Sequence, residues 1–382
     1  MESRREEVEI NLKKRKILFA LLALLLVYLV WISFLVLNFK PYKSGTLNTL
    51  EIEGTYHIHT RFSDGRKSVD EIAHLASRAH LDFIILTDHG KPNFKSLASQ
   101  GWKQGVLVLA GSELSVSRGH LVSLDFALPT RPFSQNTEQA VQEVSALGGF
   151  CIIAHPYSKV RWSWGEFIEY SGLELINANT MLKRNYLLLT PYLPALLVKP
   201  EYALLKILEE PALSLKKWDE LNNLHPIYGY FSVDSHLLYR PLLSFLHLHL
   251  LLKRPLPRGF DEARREVYEA LRKGKFYNVI EAASEARGFR FWAEQGNQTV
   301  SMGETLVSNS TVLFRIETPF PFAKETHLVH NGKILLRSRE NSLSYEAAQP
   351  GNYRVEVYLR GKTPLSKNIP WIVSNPIFLK KG

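Results

Sequence analysis

The sequence predicts an α/β fold, an α/β barrel of parallel strands with helical crossovers, behind an N-terminal transmembrane helix and ahead of a small antiparallel β-sandwich. Three observations predict it. An uncharged apolar run fills 17–39. From about 51 to 281 short apolar runs alternate with amphipathic segments. From about 287 the texture changes to short β-type runs separated by turn residues.

The apolar run is nearly unbroken Leu, Ala, Val, Ile, Phe and Trp. At about 1.5 Å per residue it is long enough to cross roughly 30 Å of hydrocarbon. It is too long, and too uniformly apolar, for a core helix. A cleavable signal peptide has an apolar region of about 7–15 residues and a small-residue cleavage site, and neither is present. Residues 1–16 form a basic tail whose Arg4, Arg5, Lys13, Lys14, Arg15 and Lys16 outweigh Lys40 and Lys43 beyond the run. That asymmetry predicts an uncleaved signal anchor: a single-pass membrane protein with a cytoplasmic N-terminus and everything after Tyr42 extracytoplasmic.

The same basic tail accounts for part of the formal charge of +10, which therefore reads as membrane topology more than as a nucleic-acid surface. No RNA- or DNA-binding fingerprint occurs elsewhere, and no nucleic-acid partner is expected. A content of 45% hydrophobic and 22% charged residues excludes a disordered chain. Cys151 is the single cysteine, so an internal disulfide and a cysteine-based zinc site are both excluded. Any metal must be held by imidazoles and carboxylates.

In the middle of the chain 83–86, 106–109, 150–153 and 227–233 read as buried strands. A helix starts at Ser68, where Glu71 completes a capping box, and buries Val69, Ile72, Ala76 and Ala79. A second spans 137–147 and stops at Gly148-Gly149; a third spans 261–273 and stops at Gly274. The stretch 183–224, Leu-rich, helical and interrupted by four prolines, reads as an insertion that packs as a helical subdomain, covers the barrel mouth or lies against the membrane. In the last part of the chain, 311–317, 327–329, 333–336, 353–358 and 371–379 read as strands, and Asn331-Gly332 as a type I′ hairpin turn. The domains are thus 1–16, 17–39, 50–286 and 287–382.

Histidines and carboxylates recur where the predicted strands end. His57-Ile58-His59 is followed by Asp64; 83–87 runs into Asp88-His89; 106–110 into Glu113 with His120 soon after; 150–154 into His155; and 228–233 into Asp234-Ser235-His236. In α/β barrels the carboxyl ends of the strands build the active site. A His-x-His pair on a strand points both rings to one side, because side chains alternate with period two. Such a coincidence predicts a multinuclear metal site. His74 and His80 on the first amphipathic helix, and His225, His327 and His330, are set aside. So is His247-Leu248-His249, a second His-x-His without carboxylates near it in the sequence.

Read in order, Tyr56-His57-Ile58-His59-Thr60, Ser63-Asp64-Gly65, Leu86-Thr87-Asp88-His89, Gly111-Ser112-Glu113, Gly119-His120, Ala154-His155-Pro156 and Val233-Asp234-Ser235-His236 resemble the polymerase-and-histidinol-phosphatase (PHP) family of metal-dependent phosphoesterases. The resemblance covers about 54–282. It implies a distorted (β/α)7 barrel holding two or three divalent ions. His57, His59 and Asp234 would hold one, Glu113 would bridge to a second completed by His120 and His155, and Asp64, His89 and His236 would hold a third. Manganese, zinc and iron all suit imidazole and carboxylate donors. The implied reaction is hydrolysis of a phosphate ester by metal-bound hydroxide. The terminal run 370–376 also resembles the ends of longer exported relatives.

Around that set, Asp88 reads as an orienting residue for a ligand or as a turn cap. Arg118, Lys159 and Arg161 are candidate phosphate-binding cations, with Trp162 and Trp164 beside them. The expected partner is a phosphorylated small molecule or a cell-envelope phosphoester, with the membrane engaged through the N-terminal helix and an envelope partner through the β domain. Two alternatives stay open. One is an amidohydrolase-like metal hydrolase, whose sites lack the set of Asp64, His89 and His236. The other is a non-catalytic metal-binding envelope scaffold.

Overall fold

The computed structural model describes residues 2–43, 50–159, 161–165, 169–318 and 320–382, with only the backbone of 2–6. Met1 of the basic tail and Val160 of the cationic loop lie outside the described residues, as do the side chains of Arg4 and Arg5.

A single helix, α1 (Glu2–Asn38), opens the chain. It is followed by β1 (Glu51–Ile58), α2 (Val69–Arg78), β2 (Phe83–Leu86), α3 (Phe94–Leu97), β3 (Gly101–Lys103) and β4 (Val106–Ala110). Next come β5 (Ser112–Val116), β6 (Gly119–Leu124), α4 (Thr137–Ala146), β7 (Phe150–Ile153) and β8 (Gly172–Asn177). A helical stretch then leads to β9 (Tyr228–Ser232). It comprises α5 (Ala178–Asn185), a 3-10 segment (Tyr186–Tyr192), α6 (Leu193–Val198), α7 (Pro200–Leu204) and α8 (Ala212–Asn222). Beyond it lie α9 (Tyr239–Leu242), β10 (His247–Leu251), α10 (Phe260–Arg272) and β11 (Phe276–Val279). The remaining strands are β12 (Arg290–Gln295), β13 (Gln298–Ser301), β14 (Thr305–Val307), β15 (Val312–Glu317), β16 (Lys324–His330), β17 (Lys333–Ser338), β18 (Ser342–Ala347), β19 (Gly351–Leu359), β20 (Ile372–Ser374) and β21 (Ile377–Lys380).

Local chemistry starts these elements where the sequence indicates. The Ser68 hydroxyl accepts from the Glu71 amide, and the Glu71 carboxylate accepts from the Ser68 amide at 2.8 Å, closing the capping box of α2. Val69, Ile72, Ala73 and Ala76 form its buried face. Asn331 and Gly332, both with positive φ, turn β16 into β17.

The fold is mixed α/β, as expected, but the strands are not uniformly parallel. β1–β2, β2–β4, β7–β8 and β8–β9 are parallel, whereas β5–β6, β6–β7, β1–β10 and β10–β11 are antiparallel. The reason is loop length. Two residues join β5 to β6, enough for a hairpin and far too few for a helical crossover.

Strands β5 to β9 form one sheet, and β1, β2, β4, β10 and β11 belong to a larger one. The two sheets meet along two edges. At one, β4 passes into β5 through Gly111, where a Cβ would fall 2.2 Å from the Ser123 carbonyl oxygen. At the other, the Ser235 amide donates to His57 O and the His59 amide donates to Ser235 O, each at 3.0 Å. Tyr56, Ile85 and Leu109 from one sheet and Val122, Ile152 and Tyr230 from the other share one core.

The C-terminal strands are joined to the rest of the chain through the larger sheet. β20 pairs with β11, so the larger sheet runs on through β19 into the last part of the chain. The segment read as one strand at 371–379 is broken at Asn375-Pro376 into β20 and β21. Asn375 accepts from the Gly229 amide at 2.8 Å and donates to Phe276 O at 3.2 Å, and Trp371 Nε1 donates to Ser284 O at 2.8 Å. A second sheet, β13-β12-β15-β18, packs on this extension, with Phe314 stacked on Tyr353 at 4.2 Å.

Helix α1 is mostly exposed, but its last turns are seated. Ile32, Val36 and Phe39 are buried, Tyr28 Oη donates to Pro191 O at 3.2 Å, and Phe39 meets Tyr202 edge-on at 5.6 Å. It is the one helix among the described residues long and apolar enough to cross a membrane.

Candidate metal centre

The nine residues predicted as ligands come together in one cluster, with Glu113 at its centre and five of the six imidazoles against it. Glu113, 1% exposed on β5, turns Oε1 toward His120 Nδ1 and His155 Nε2, each at 3.0 Å. Its Oε2 faces His59 Nε2 at 3.2 Å, His57 Nε2 at 3.3 Å and His89 Nδ1 at 3.4 Å. Asp234 Oδ1 stands 3.4 Å from His236 Nδ1, 3.5 Å from His59 Nε2 and 3.6 Å from His57 Nε2. Asp64 completes the outer side, 3.1 Å from His236, 3.3 Å from His59 and 3.7 Å from His89.

Donor atoms within 4.8 Å of one another form three groups here. They are His57, His59 and Asp234; His57, Glu113 and His155; and His59, Asp64, His89 and His236. His57 and His59 each border two groups, while His120 reaches the centre through Glu113 and His155.

The backbone is bent to achieve this. His57, His155 and Asp234 all have positive φ, at 68°, 30° and 47°. Such a conformation is uncommon for non-glycine residues and clusters at functional sites. At His57 it coincides with a register shift between β1 and β2. Simple alternation along β1 is therefore not what aims the pair; the irregularity at His57 brings both Nε2 atoms to the same Glu113 oxygen.

Two features fit a cation. His57 Nε2, His59 Nε2 and His89 Nδ1 are buried without a hydrogen-bond partner, although each faces carboxylate oxygens. Such atoms are costly unless something satisfies them. The protein's own charges also work against one another. Burial pulls His57 down, but Glu174, Asp234 and Glu113 outweigh it and raise it well above the usual imidazole range. Burial likewise opposes protonation of His59, which Asp234, Asp64 and Glu113 push up to about 10. Burial raises the Glu113 carboxyl, yet the imidazoles around it hold it well below the usual range. A multivalent cation bound by neutral imidazoles resolves this crowding.

Glu174 on β8, which sequence reasoning missed, orients the centre from below. It is 1% exposed. Oε1 accepts from His57 Nδ1 at 2.6 Å and Tyr56 Oη at 2.9 Å; Oε2 accepts from the His155 amide at 2.7 Å and Asn177 Nδ2 at 2.8 Å. In the neutral ring that a metal requires, a carboxylate on Nδ1 leaves Nε2 of His57 as the lone-pair nitrogen facing Glu113 and Asp234. The signal was one acidic residue inside the otherwise apolar strand 172–176.

Asp88 holds the turn after β1 instead of a ring. It accepts from the Thr60 amide at 2.7 Å, and from the Thr60, Ser63 and Ser96 hydroxyls at 2.9, 2.6 and 2.8 Å. Its link to the ligands is indirect, through Ser63 Oγ at 3.5 Å from His59 Nδ1.

The cleft over the centre, about 410 Å³, is lined by seven of the nine residues, all but His57 and His59, together with Ser158, Asn179, Thr180, Lys183 and Arg184. The predicted cations are not there. Arg118 is turned away, its guanidinium donating to the Glu138 carboxylate and to Trp164 O. Lys159 and Arg161 line a neighbouring hollow that touches only His120 and His155 of the ligand set. The cations on the cleft itself come from α5, at the edge of the helical stretch. Lys183 is exposed, and Arg184 is held at the rim by Glu209 Oε2 at 3.1 Å and Tyr157 O at 2.8 Å. Asn179 Nδ2 donates to Asp234 Oδ2 at 3.2 Å.

No family model matches this chain. An uncharacterised protein of Methanocaldococcus jannaschii is 29% identical over 140 residues, which is 32% of this chain and 80% of that protein. Among solved structures, the chain is similar to a two-domain protein of Bacteroides vulgatus containing a predicted PHP-like metal-dependent phosphoesterase. That match has 14% identity, a TM-score of 0.47, and coverage of 88% of this chain and 98% of the other. It is similar also to a proposed metal-dependent phosphoesterase of Bifidobacterium adolescentis, with 12% identity, TM-score 0.34, and 48% and 87% of the two chains. An amidohydrolase of Chromobacterium violaceum, solved with sulfate and without metal, gives 16% identity, TM-score 0.33, and 55% and 96% of the chains.

Proposed function

We propose that the chain is a PHP-type metal-dependent phosphoesterase, hydrolysing a phosphate ester at the extracytoplasmic face of a membrane. The observation that carries the reading is the clustering of six imidazoles and two aspartates around Glu113, with three ring nitrogens buried and unpartnered.

Two or three divalent ions, of manganese, zinc or iron, would be held by His57, His59, Asp64, His89, Glu113, His120, His155, Asp234 and His236. Bound there, they supply charge neutralisation for phosphoryl oxygens and a water of lowered pKa. The protein's own part is positional. Glu174 fixes the His57 tautomer, Asn179 fixes Asp234, and Lys183 with Arg184 presents positive charge at the mouth, where a phosphate enters.

On this proposal 50–286 forms a distorted catalytic (β/α)7 barrel with 183–224 as its helical insertion, and 287–382 forms a β domain joined to it where β20 pairs with β11. Helix α1 spans the membrane with its N-terminus cytoplasmic. Its support is the uncharged run 17–39 and the exposed Leu187, Leu188, Leu193, Leu197 and Val198 beside the seat of α1, an apolar face suited to a lipid surface. The substrate is then a phosphorylated small molecule or envelope phosphoester, and the β domain is free to meet an envelope partner.

The test is the full-length protein in detergent, loaded with manganese or zinc, against a panel of phosphate mono- and diesters with amides and lactones as controls. Phosphate release that requires metal and is lost in Asp234→Asn is expected. Turnover of amides or lactones alone would move the chain to the amidohydrolase reading, and metal binding without any turnover would leave a scaffold.

A further inference from the structure

The His-x-His on β10 that the sequence left without carboxylate neighbours acquires three in the fold. Glu51 and Glu53 share a face of β1, and Glu53 lies directly opposite His249 in the β1–β10 ladder. Period-two alternation puts His247 on the same face as His249. Glu281 arrives two residues beyond β11, which pairs with β10 on its other side.

All of these side chains are buried, His247 and His249 almost completely. One donor atom from each of Glu53, His247, His249 and Glu281 lies within 4.8 Å of every other. Hydrogen bonds set the tautomers. His247 Nε2 donates to Leu243 O at 2.8 Å, which leaves Nδ1 as the lone-pair nitrogen. That Nδ1 is buried with no hydrogen-bond partner, 3.4 Å from Glu53 Oε2. His249 Nδ1 donates to Glu51 Oε1 at 3.0 Å, turning Nε2 toward Glu281 Oε2 at 3.1 Å.

Glu281 Oε1 is also buried without a partner. Arg290 and Arg287 pair with Glu51 and Glu53, but no guanidinium or ammonium group among the described residues meets Glu281. The cluster thus holds an unpartnered imidazole nitrogen and an unpartnered carboxylate oxygen, with outer hydrogen bonds already in place behind both rings. That is the arrangement of a ligand shell supported from outside.

We propose that Glu53, His247, His249 and Glu281 form a second metal site that takes one divalent transition-metal ion, zinc by its donor set. Two imidazoles and two carboxylates make a four-coordinate shell with no open position, so the ion is structural rather than catalytic. In a tetrahedral zinc site, ligand atoms about 2.1 Å from the ion are roughly 3.4 Å apart, and the four groups need only draw inward. Glu53 precedes His57 by four residues on β1, about 13 Å along the strand, so this ion is distinct from those of the catalytic centre. A cavity of about 1000 Å³, lined by Glu53, His247 and Glu281 together with Phe39 and Tyr42, gives it an access route. The ion would tie β1, β10 and the segment after β11 together beneath the catalytic end.

The test uses full-length protein in detergent, stripped with chelator and dialysed against zinc. Metal content per chain is measured in wild type and in His247→Gln, and zinc-edge anomalous maps are collected from wild-type crystals. Expected are one fewer zinc per chain in His247→Gln, with the catalytic centre still loaded, and an anomalous peak about 2.1 Å from His247 Nδ1. Equal zinc content in the two folded proteins, or a wild-type map with peaks only around Glu113, would overturn the site and leave a closed hydrogen-bonded cluster. The wild-type map decides even if the variant does not fold, and neither readout depends on whether any phosphoester is turned over.

Discussion

Replacing Glu174 by glutamine changes one atom and almost no volume, yet it leaves at least one buried donor beneath the metal centre without its acceptor. Each carboxylate oxygen accepts two, from His57 Nδ1 and Tyr56 Oη on one side and from the His155 amide and Asn177 Nδ2 on the other. A glutamine keeps one accepting oxygen and must set its NH2 against the other pair: on one side it leaves the His155 amide and Asn177 Nδ2 without an acceptor, and on the other the Tyr56 oxygen can accept from it but the His57 Nδ1–H cannot. A buried donor left unpaired costs about 1–3 kcal/mol. At His57 the loss also removes the negative charge that makes Nε2 a strong donor to a metal. Removing such an orienting partner weakens metal affinity by about 10–100-fold, roughly 1.4–2.8 kcal/mol. The assay is competition with a chromophoric chelator, with circular dichroism to establish an intact fold. Tyr56→Phe is the control: it takes one hydrogen bond from Oε1 but keeps the carboxylate, and affinity should fall by less than about threefold. A folded Glu174→Gln protein with wild-type affinity would refute the argument that this carboxylate acts through His57.

Other outcomes rest on the same geometry. Lys183→Ala should raise KM for a phosphoester about tenfold with kcat within about twofold, since an exposed cation at the mouth contributes to binding in ground and transition states alike. Because the surrounding carboxylates outweigh burial and raise His57 and His59 above the usual imidazole range, a metal competes there with protons: loading at pH 7 should release protons into weak buffer, and affinity should fall as pH is lowered. Calorimetry in buffers of different ionisation enthalpy measures both. Burial pushes the Cys151 thiol from 9.0 up to about 12, so the native protein should resist thiol reagents at pH 8 and react fully only in denaturant. Asn375→Ala leaves the Gly229 amide and the Phe276 carbonyl unpaired in the core, and should lower unfolding stability by about 2–4 kcal/mol in a denaturant titration.

Much of the centre was legible in the sequence because its residues sit at strand ends, where short apolar runs stop at His, Asp or Glu. The other eight come together around Glu113. What the sequence hid are features that depend on distance in the chain. Glu174 looks like one acid in a strand until β8 is laid beside β7 and under His57. Lys183 and Arg184 look like the start of an insertion until α5 is seen bordering the cleft. Arg118 had the right position but a nearer carboxylate, that of Glu138. The same limit applies to His247 and His249, whose carboxylate neighbours lie across a ladder or beyond the next strand. For the fold, helix starts and the Asn331-Gly332 turn rest on local chemistry and read directly. Strand direction after Glu113 and the joining of β20 to β11 rest on loop length and on partners far apart, and no periodicity encodes them.

The joining of β20 to β11 has a consequence for how the chain is made. Asn278 and Val373, hydrogen-bonded across that seam, are 95 residues apart, and Gly229 and Asn375 are 146 apart. At about 5–20 residues per second of synthesis, the ribosome needs roughly 5–20 s to supply the missing partner after β11 has been made. Through that interval β11 presents an unpaired edge and an apolar face, the surface on which chains aggregate. Every residue of the metal centre has been synthesised by then, yet the sheet that carries His57 and His59 is still incomplete. That sheet is complete only when β20 arrives.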